Sequence, residues 1–567
     1  MKNKFSLIGL LVMLGIFSVR PIVAQDKMPT ILQHFQADKG SLERFYVIDA
    51  SPERRQRFIN FNNEYLKKIK ELPFNSLSQS DKVDYLLFKS QLNANLQDLN
   101  TEETAYQSSK NWIDFASVLY TQEKSRRRGA SIDGEKTALT WNQLSKEVQY
   151  KMAELEKAPL LSKQSAMHIS KTIKGYKKAI KSVNDFYNGY DPMYSWWTAQ
   201  SIKKLDSALD MYQSLVAKRT DASSVQKIDK SGIVGNPIGA AAIETSLHNA
   251  FIPYNAQELI KIAEKEFAWC DAEMLKASRE MGFGDNWKAA LEKVKNTYVP
   301  VGKQPEMIMD LYNQSVDFIK KNDMITIPPL AEETWRMIMM TPKQQLVSPF
   351  FLGGETLMIS YPTDDMDDDA KLMSMRGNNP HFSRSTVHHE LIAGHHLEGF
   401  MNDRYKSYRN FETPFWTEGW SLYWEFELWD KGFPRNAEDR IGMLFWRMHR
   451  CARIIFSLNY HLEKWSPQEC IDFLVDRVGH ERANAEGEVR RSFTGGYGPL
   501  YQLAYMIGAL QIRALKEEVV GSGKMSLKQF NDAVMRENNM PIEMLRALFI
   551  KTPLTEDYKS QWRFYKY

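Results

Sequence analysis

Cysteine is nearly absent: Cys270, Cys451 and Cys470 are the only three in 567 residues. Three thiols cannot build the disulfide framework of a small secreted domain. One bridge, Cys451 with Cys470, is open to them, and three buried free thiols are the expected state. An excess of one charge is missing too, since 74 Lys and Arg face 70 Asp and Glu with both signs mixed along the chain. Without a basic stripe to meet a phosphate backbone, nucleic acid is not an expected partner. No repeat of fixed period is present, which disfavours solenoids. Beyond the first twenty residues no apolar run is long enough to span a bilayer.

The N-terminus has the three-part pattern of a secretory signal: Lys2 and Lys4, an uncharged apolar run from Phe5 to Val19, then small Ala24. The run is roughly 15 residues, short of the ~20 that cross a bilayer as a helix. No cysteine near the cleavage point offers a lipid attachment. The expectation is a signal peptide over 1–24 and a periplasmic or secreted chain with no stable membrane insertion after cleavage.

Apolar residues at three- and four-residue spacing dominate from Ile31 to Lys218, as in Tyr65, Ile69 and Leu72 or Leu205, Leu209 and Tyr212. That spacing predicts amphipathic helices across an N-terminal region, 25–220. Residues 219–240 collect Ser, Asp, Gly and Pro, break the periodicity and predict a linker. The second region, 241–567, is helical from Ala256 to about Lys321, has one strand-like stretch from Thr356 to Tyr361, and returns to helix from Arg384. The acidic run Asp364, Asp365, Asp367, Asp368 and Asp369 lacks the glycine and bidentate glutamate of an EF-hand and is expected to be a solvated loop.

The informative segment is Ser385 to Gly399, with four of the chain's eleven histidines and two glutamates. Neutral imidazoles are the commonest ligands of catalytic zinc, and a glutamate beside the first is where a metallohydrolase needs its general base. The common arrangement is His-Glu-x-x-His, with ligands one turn apart. Here the fifth position is Ala393. His395 lies six residues after His389, about 9 Å along a straight helix and on another face, whereas nitrogens sharing one zinc sit a little over ~3 Å apart. His396, seven residues on, fails on distance as well. The helix must therefore be distorted, and Gly394 is best able to supply an unusual backbone angle.

A third ligand must come from elsewhere. Thr413 can cap, and Pro414 can open, a helix in which Glu418 and Glu425 lie seven apart on one face. The first can bind metal while the second orients a histidine from behind.

These residues resemble a known family. His389-Glu390-Leu391-Ile392-Ala393-Gly394-His395-His396 is similar to the His-Glu-x-x-Pro-Gly-His-His motif of a bacterial domain-of-unknown-function family, number 885, grouped with the zincin peptidases. Thr417 to Glu425, Arg450 to His461 and Tyr501 to Gln511 resemble further segments of that family in the same order, so the likeness covers Arg384 to Arg513. Ala393 departs from the proline, and Ser457 stands where aspartate is usual.

The resemblance implies a mostly α, multi-helical zincin-like metallopeptidase over 241–567, with a small β element beside the metal helix. It implies Zn2+ held by His389, His395 and Glu418, and it is the reason for preferring His395 to His396. Glu390 is then the general base, with Tyr505 and His461 as oxyanion donors. His388, His396 and Glu425 stand behind the ligands. Apart from the resemblance, the bidentate fork of Arg490 or Arg491 is a candidate for binding a substrate carboxylate, with a salt bridge to Glu486 or Glu488 as the alternative. The Thr356–Tyr361 strand would lie along the cleft and pair with a peptide substrate. The function expected is an exported zinc hydrolase cleaving oligopeptides. Its rivals are a zinc hydrolase of a non-peptide amide or ester and a non-catalytic metal-binding protein.

Overall fold

A computed structural model describes residues 27–221, 229–345, 348, 350–494 and 496–566. The expected signal peptide at 1–24, part of the expected linker (222–228) and Gly495 lie outside the described residues.

The fold is mostly α, and the helices begin where capping chemistry predicts. Ser51, Ser78, Asp133, Ser162 and Asp191 each accept a backbone N–H in the first turn of the helix they precede, and Pro52 and Pro192 occupy first-turn positions. The apolar stripes point inward: Ile69, Leu205, Leu209 and Tyr212 are buried.

The cores do not divide where the linker predicts. One large hydrophobic core joins Met28 to Leu92 with most of the chain after Ile233. A second, smaller core holds Ile48 and residues from Ile113 to Val216. The helix Gln79–Ile113 causes this, because Val83 to Leu92 enter the first core and Ile113 enters the second. An apolar stripe shows that a helix has a buried face, not which neighbour covers it. A boundary at 219–240 therefore separates chain segments but not cores.

The small β element has two parallel strands, β1 (Arg336–Met339) and β2 (Thr356–Ile359). β2 is two residues shorter than expected. The acidic run is exposed, but it is not simply a loop: Asp367 caps the helix Asp368–Gly377, whose first turn holds Asp368 and Asp369. All three cysteines are buried and free. Burial, with the Cys270 thiol beside it, pushes the Cys451 thiol up, so the neighbour of Cys451 is Cys270, not Cys470.

Candidate metal centre

Asn379 caps the helix Pro380–Glu390 by accepting from the backbone of His381 and Phe382, and that helix ends at His389 and Glu390. A new helix, His395–Asn402, starts after Gly394. The peptide between Ile392 and Ala393 is cis. Through the break the backbone stays hydrogen-bonded, with the Gly394 N–H donating to the His388 carbonyl at 3.0 Å and Leu397 to Leu391 at 3.3 Å. Gly394 is required for close approach and not for a left-handed angle: its φ is −84°, and a Cβ there would lie 1.8 Å from the His389 carbonyl oxygen. The indole of Trp420 donates to the Ala393 carbonyl at 2.8 Å and ties the break to the neighbouring helix.

That neighbour is Pro414–Asp430, capped by Thr413 and opened by Pro414 as expected. It crosses the helix Tyr501–Val519 where Gly419 meets Gly508. A Cβ on Gly419 would come within 2.6 Å of the Gly508 Cα, and one on Gly508 within 2.0 Å of the Phe415 carbonyl. Mid-helix glycine costs about 1 kcal/mol relative to alanine. Here it permits the crossing that sets Glu418 beside Tyr501, whose hydroxyl donates to Glu418 Oε1.

The folded chain brings His389, His395 and Glu418 together, with one ligand atom from each lying within 4.8 Å of the others. Glu418 Oε2 is 3.5 Å from Nε2 of His389 and 3.3 Å from Nε2 of His395. Burial opposes ionisation of Glu418, yet the two imidazoles hold its carboxyl well below the ordinary range. Glu418 Oε2 is buried with no hydrogen-bond partner among the described residues. An orphaned carboxylate oxygen facing two imidazole nitrogens fits a divalent cation and suits zinc, which takes this donor set.

Glu425 lies two turns further along the same helix face, with Oε1 2.8 Å from His389 Nδ1. Ser385 donates to its other oxygen at 2.8 Å, and Arg450 approaches at 3.4 Å. Burial works against ionisation of Glu425, but Arg450 and His389 outweigh it and hold the carboxyl at about 2. Glu390 lines the same cavity as the three clustered residues, and burial pushes its carboxyl up. Tyr505 also lines it, stacked on the His389 ring at 6.1 Å between centroids. The cavity has a volume of about 950 Å³.

Four expected site residues lie elsewhere. His461 ends its helix against Tyr460 and Phe493. It is eight residues past Arg453, which lines the cavity, and therefore about 12 Å further along the axis. His388 is buried edge-on to Phe433, and burial holds its imidazole at about 4. His396 Nε2 contacts the Ala331 carbonyl at 2.7 Å, as a packed residue outside the cavity. Arg490 is exposed, and its neighbour Arg491 is the one that lines the cavity. Helical rotation separates His388, His396 and Arg490 from the neighbours His389, His395 and Arg491 that do line the cavity, whereas axial distance removes His461. β2 is not the cleft edge either: β1 flanks one side of it, and Leu352 exchanges two hydrogen bonds with Met358, so residues 350–353 line the cavity instead.

Sequence reasoning missed Tyr501, Glu398, Arg450 and Arg453. Glu398 Oε2 lies 3.8 Å from His395 Nδ1. Tyr501 stands one helical turn before Tyr505, and the two arginines sit in the Arg450-to-His461 segment. Only the spacing within those segments signalled them. The Ser457 hydroxyl bonds back to the Arg453 carbonyl at 2.6 Å, and the carboxylate paired with Arg453 is Glu488.

Fold and site together define a mostly helical protein with a buried His-His-Glu cluster in a large cleft. The chain belongs to the family described as bacterial protein of unknown function (DUF885), which matches residues 43–548. Its structure is similar to that of a candidate lipoprotein of unknown function from Shewanella oneidensis, with TM-score 0.66, 16% identity, and 92% of this chain and 99% of that one covered. A candidate lipoprotein from Colwellia psychrerythraea gives TM-score 0.57 and 15% identity over 92% and 98% of the two chains. These likenesses concern the fold alone. No curated protein matches the chain.

Proposed function

We propose that this protein is an exported zinc-dependent hydrolase of the zincin type that cleaves oligopeptides. The observation that carries the reading is the largely buried cluster of His389, His395 and Glu418 around a carboxylate oxygen that has no partner among the described residues, with Glu390 lining the same cavity. Zinc bound there supplies Lewis acidity and acidifies a water molecule. Glu390, its carboxyl raised by burial, accepts a proton from the attacking water and returns it to the leaving amine. Tyr505, kept protonated by burial, donates to the developing oxyanion. Glu425 fixes the ring of His389, and the Tyr501 hydroxyl fixes Glu418. Residues 350–353 offer main-chain groups along the cleft for an extended peptide.

Export is supported by the secretory pattern of residues 1–24 and by the lipoprotein description of both structural neighbours. Among the described residues no helix is long and apolar enough to cross a membrane.

Metal analysis of the purified protein and mass-spectrometric detection of products from mixed peptides test the reading. One zinc per chain and cleaved peptides are expected. The Glu390→Gln variant should keep the zinc and lose roughly a hundredfold or more in kcat. Undiminished activity in that variant removes the enzyme assignment.

A further inference from the structure

One wall of the cavity carries more positive charge than its own carboxylates answer. Arg450, Arg453 and Arg491 all line it, with side chains 5%, 3% and 10% exposed. Two carboxylates serve the three. Arg453 Nε meets Glu488 Oε1 at 2.7 Å, and Arg491 Nε stands 3.7 Å from the other oxygen of Glu488. Arg450 has Glu425 at 3.4 Å, a carboxylate already engaged by His389 and Ser385. Arg450 Nε and Arg453 Nη1 are buried with no hydrogen-bond partner among the described residues. Buried guanidinium nitrogens left unpaired are costly, and bidentate recognition of a carboxylate is what that group does best.

We infer that this wall is a subsite for the free C-terminal carboxylate of a peptide, so that the protein trims short fragments from C-terminal ends. The inference rests on the hydrolase reading for its chemistry and deepens it by naming the substrate class. Water adds across the amide, the acyl carbon taking the hydroxyl and the leaving amine the proton. The position of the wall sets the fragment length. The Tyr505 ring is 6.1 Å from the His389 ring and 4.3 Å from the Arg453 guanidinium, which puts that guanidinium no more than about 10 Å from the His389 ring, a distance about three extended residues cover. Asp403 and Glu412, also on the cavity lining, are exposed and would repel a carboxylate.

The test compares a hexapeptide library bearing free carboxyl termini with the same library amidated, using the zinc-loaded full chain. Free-acid peptides should lose one to three C-terminal residues at least tenfold faster than the amides. Equal rates, or cuts spread along the peptides, overturn the subsite while leaving the hydrolase reading intact. Arg491→Gln should erase the acid preference, and retention of the full preference by both Arg491→Gln and Arg453→Gln overturns the assignment to this wall. If neither library is cleaved, the hydrolase reading falls, and retention on immobilised zinc-loaded Glu390→Gln protein decides the subsite. Preferential retention of free acids supports it; equal retention, or none, overturns it.

Discussion

The imidazole of His389 is clamped from both ends. Its Nδ1 lies 2.8 Å from Glu425 Oε1, and its Nε2 lies 3.5 Å from Glu418 Oε2, although both carboxylates come from one helix. Seven residues, two helical turns, separate the two glutamates, and the imidazole bridges them. Glu425→Gln should therefore leave the fold unchanged and weaken zinc binding by roughly ten- to a hundredfold, measured by competition with a chelating dye.

Two adjacent histidines test the proposed ligand set. His395→Ala should lose stoichiometric zinc. His396→Ala should keep it, because that ring is engaged with the Ala331 carbonyl. Metal analysis of the two variants, prepared alike, distinguishes them.

The paired tyrosines should separate by readout. Tyr501→Phe removes the donor to Glu418 and should lower zinc affinity. Tyr505→Phe leaves Glu418 untouched and should lower kcat by ten- to a hundredfold at full zinc occupancy. Equal effects of the two variants on metal affinity would contradict these roles.

Arg409 and Asp84 form a wholly buried ion pair, 2.6 Å apart, between the N-terminal helices and the loop before Glu418. Arg409→Met leaves Asp84 buried without its partner and should cost about 3–5 kcal/mol in urea unfolding. It should loosen the first and last parts of the chain together, since they share one core.

Acid should destabilise the fold well above the carboxylate range. His449 Nδ1 and His480 Nε2 are 2.8 Å apart and buried. Burial pushes His480 down to about 3 and His449 well below its ordinary value, with nearby arginines adding to the second shift. Each folded-state value is lower than the unfolded one near 6.5, so the unfolded chain binds more protons below that pH. The stability these histidines contribute is complete above about 6.5 and is lost as pH falls toward about 3, at about 1.4 kcal/mol per pH unit for each. Urea midpoints from pH 7 to 4.5 check the slope, which should flatten by about one proton in His480→Gln.

Much of the centre was legible in the sequence because its chemistry is local. His389 and Glu390 are adjacent, Thr413 and Pro414 announce a helix start, and a seven-residue spacing puts Glu418 and Glu425 on one face. Impossible spacing on a straight helix also revealed the break before His395. The arginine wall was illegible: Arg450 and Arg453 look like any charged residues on a helix until burial leaves their nitrogens unpaired. His388 and Arg490 were misplaced because a rotation of about 100° per residue puts one neighbour in the cavity and the next in packing, and His461 because its helix carries it about 12 Å beyond Arg453.

The helices, their starts and the residue types able to hold a metal follow from local sequence, because caps and periodicity act within a few positions. Long-range packing alone sets Gly419 against Gly508 so that two helices touch, joins the first and last parts of the chain in one core, and brings three arginines to one wall. Those outcomes depend on contacts between residues far apart in the chain, and short-range preferences do not encode which faces meet.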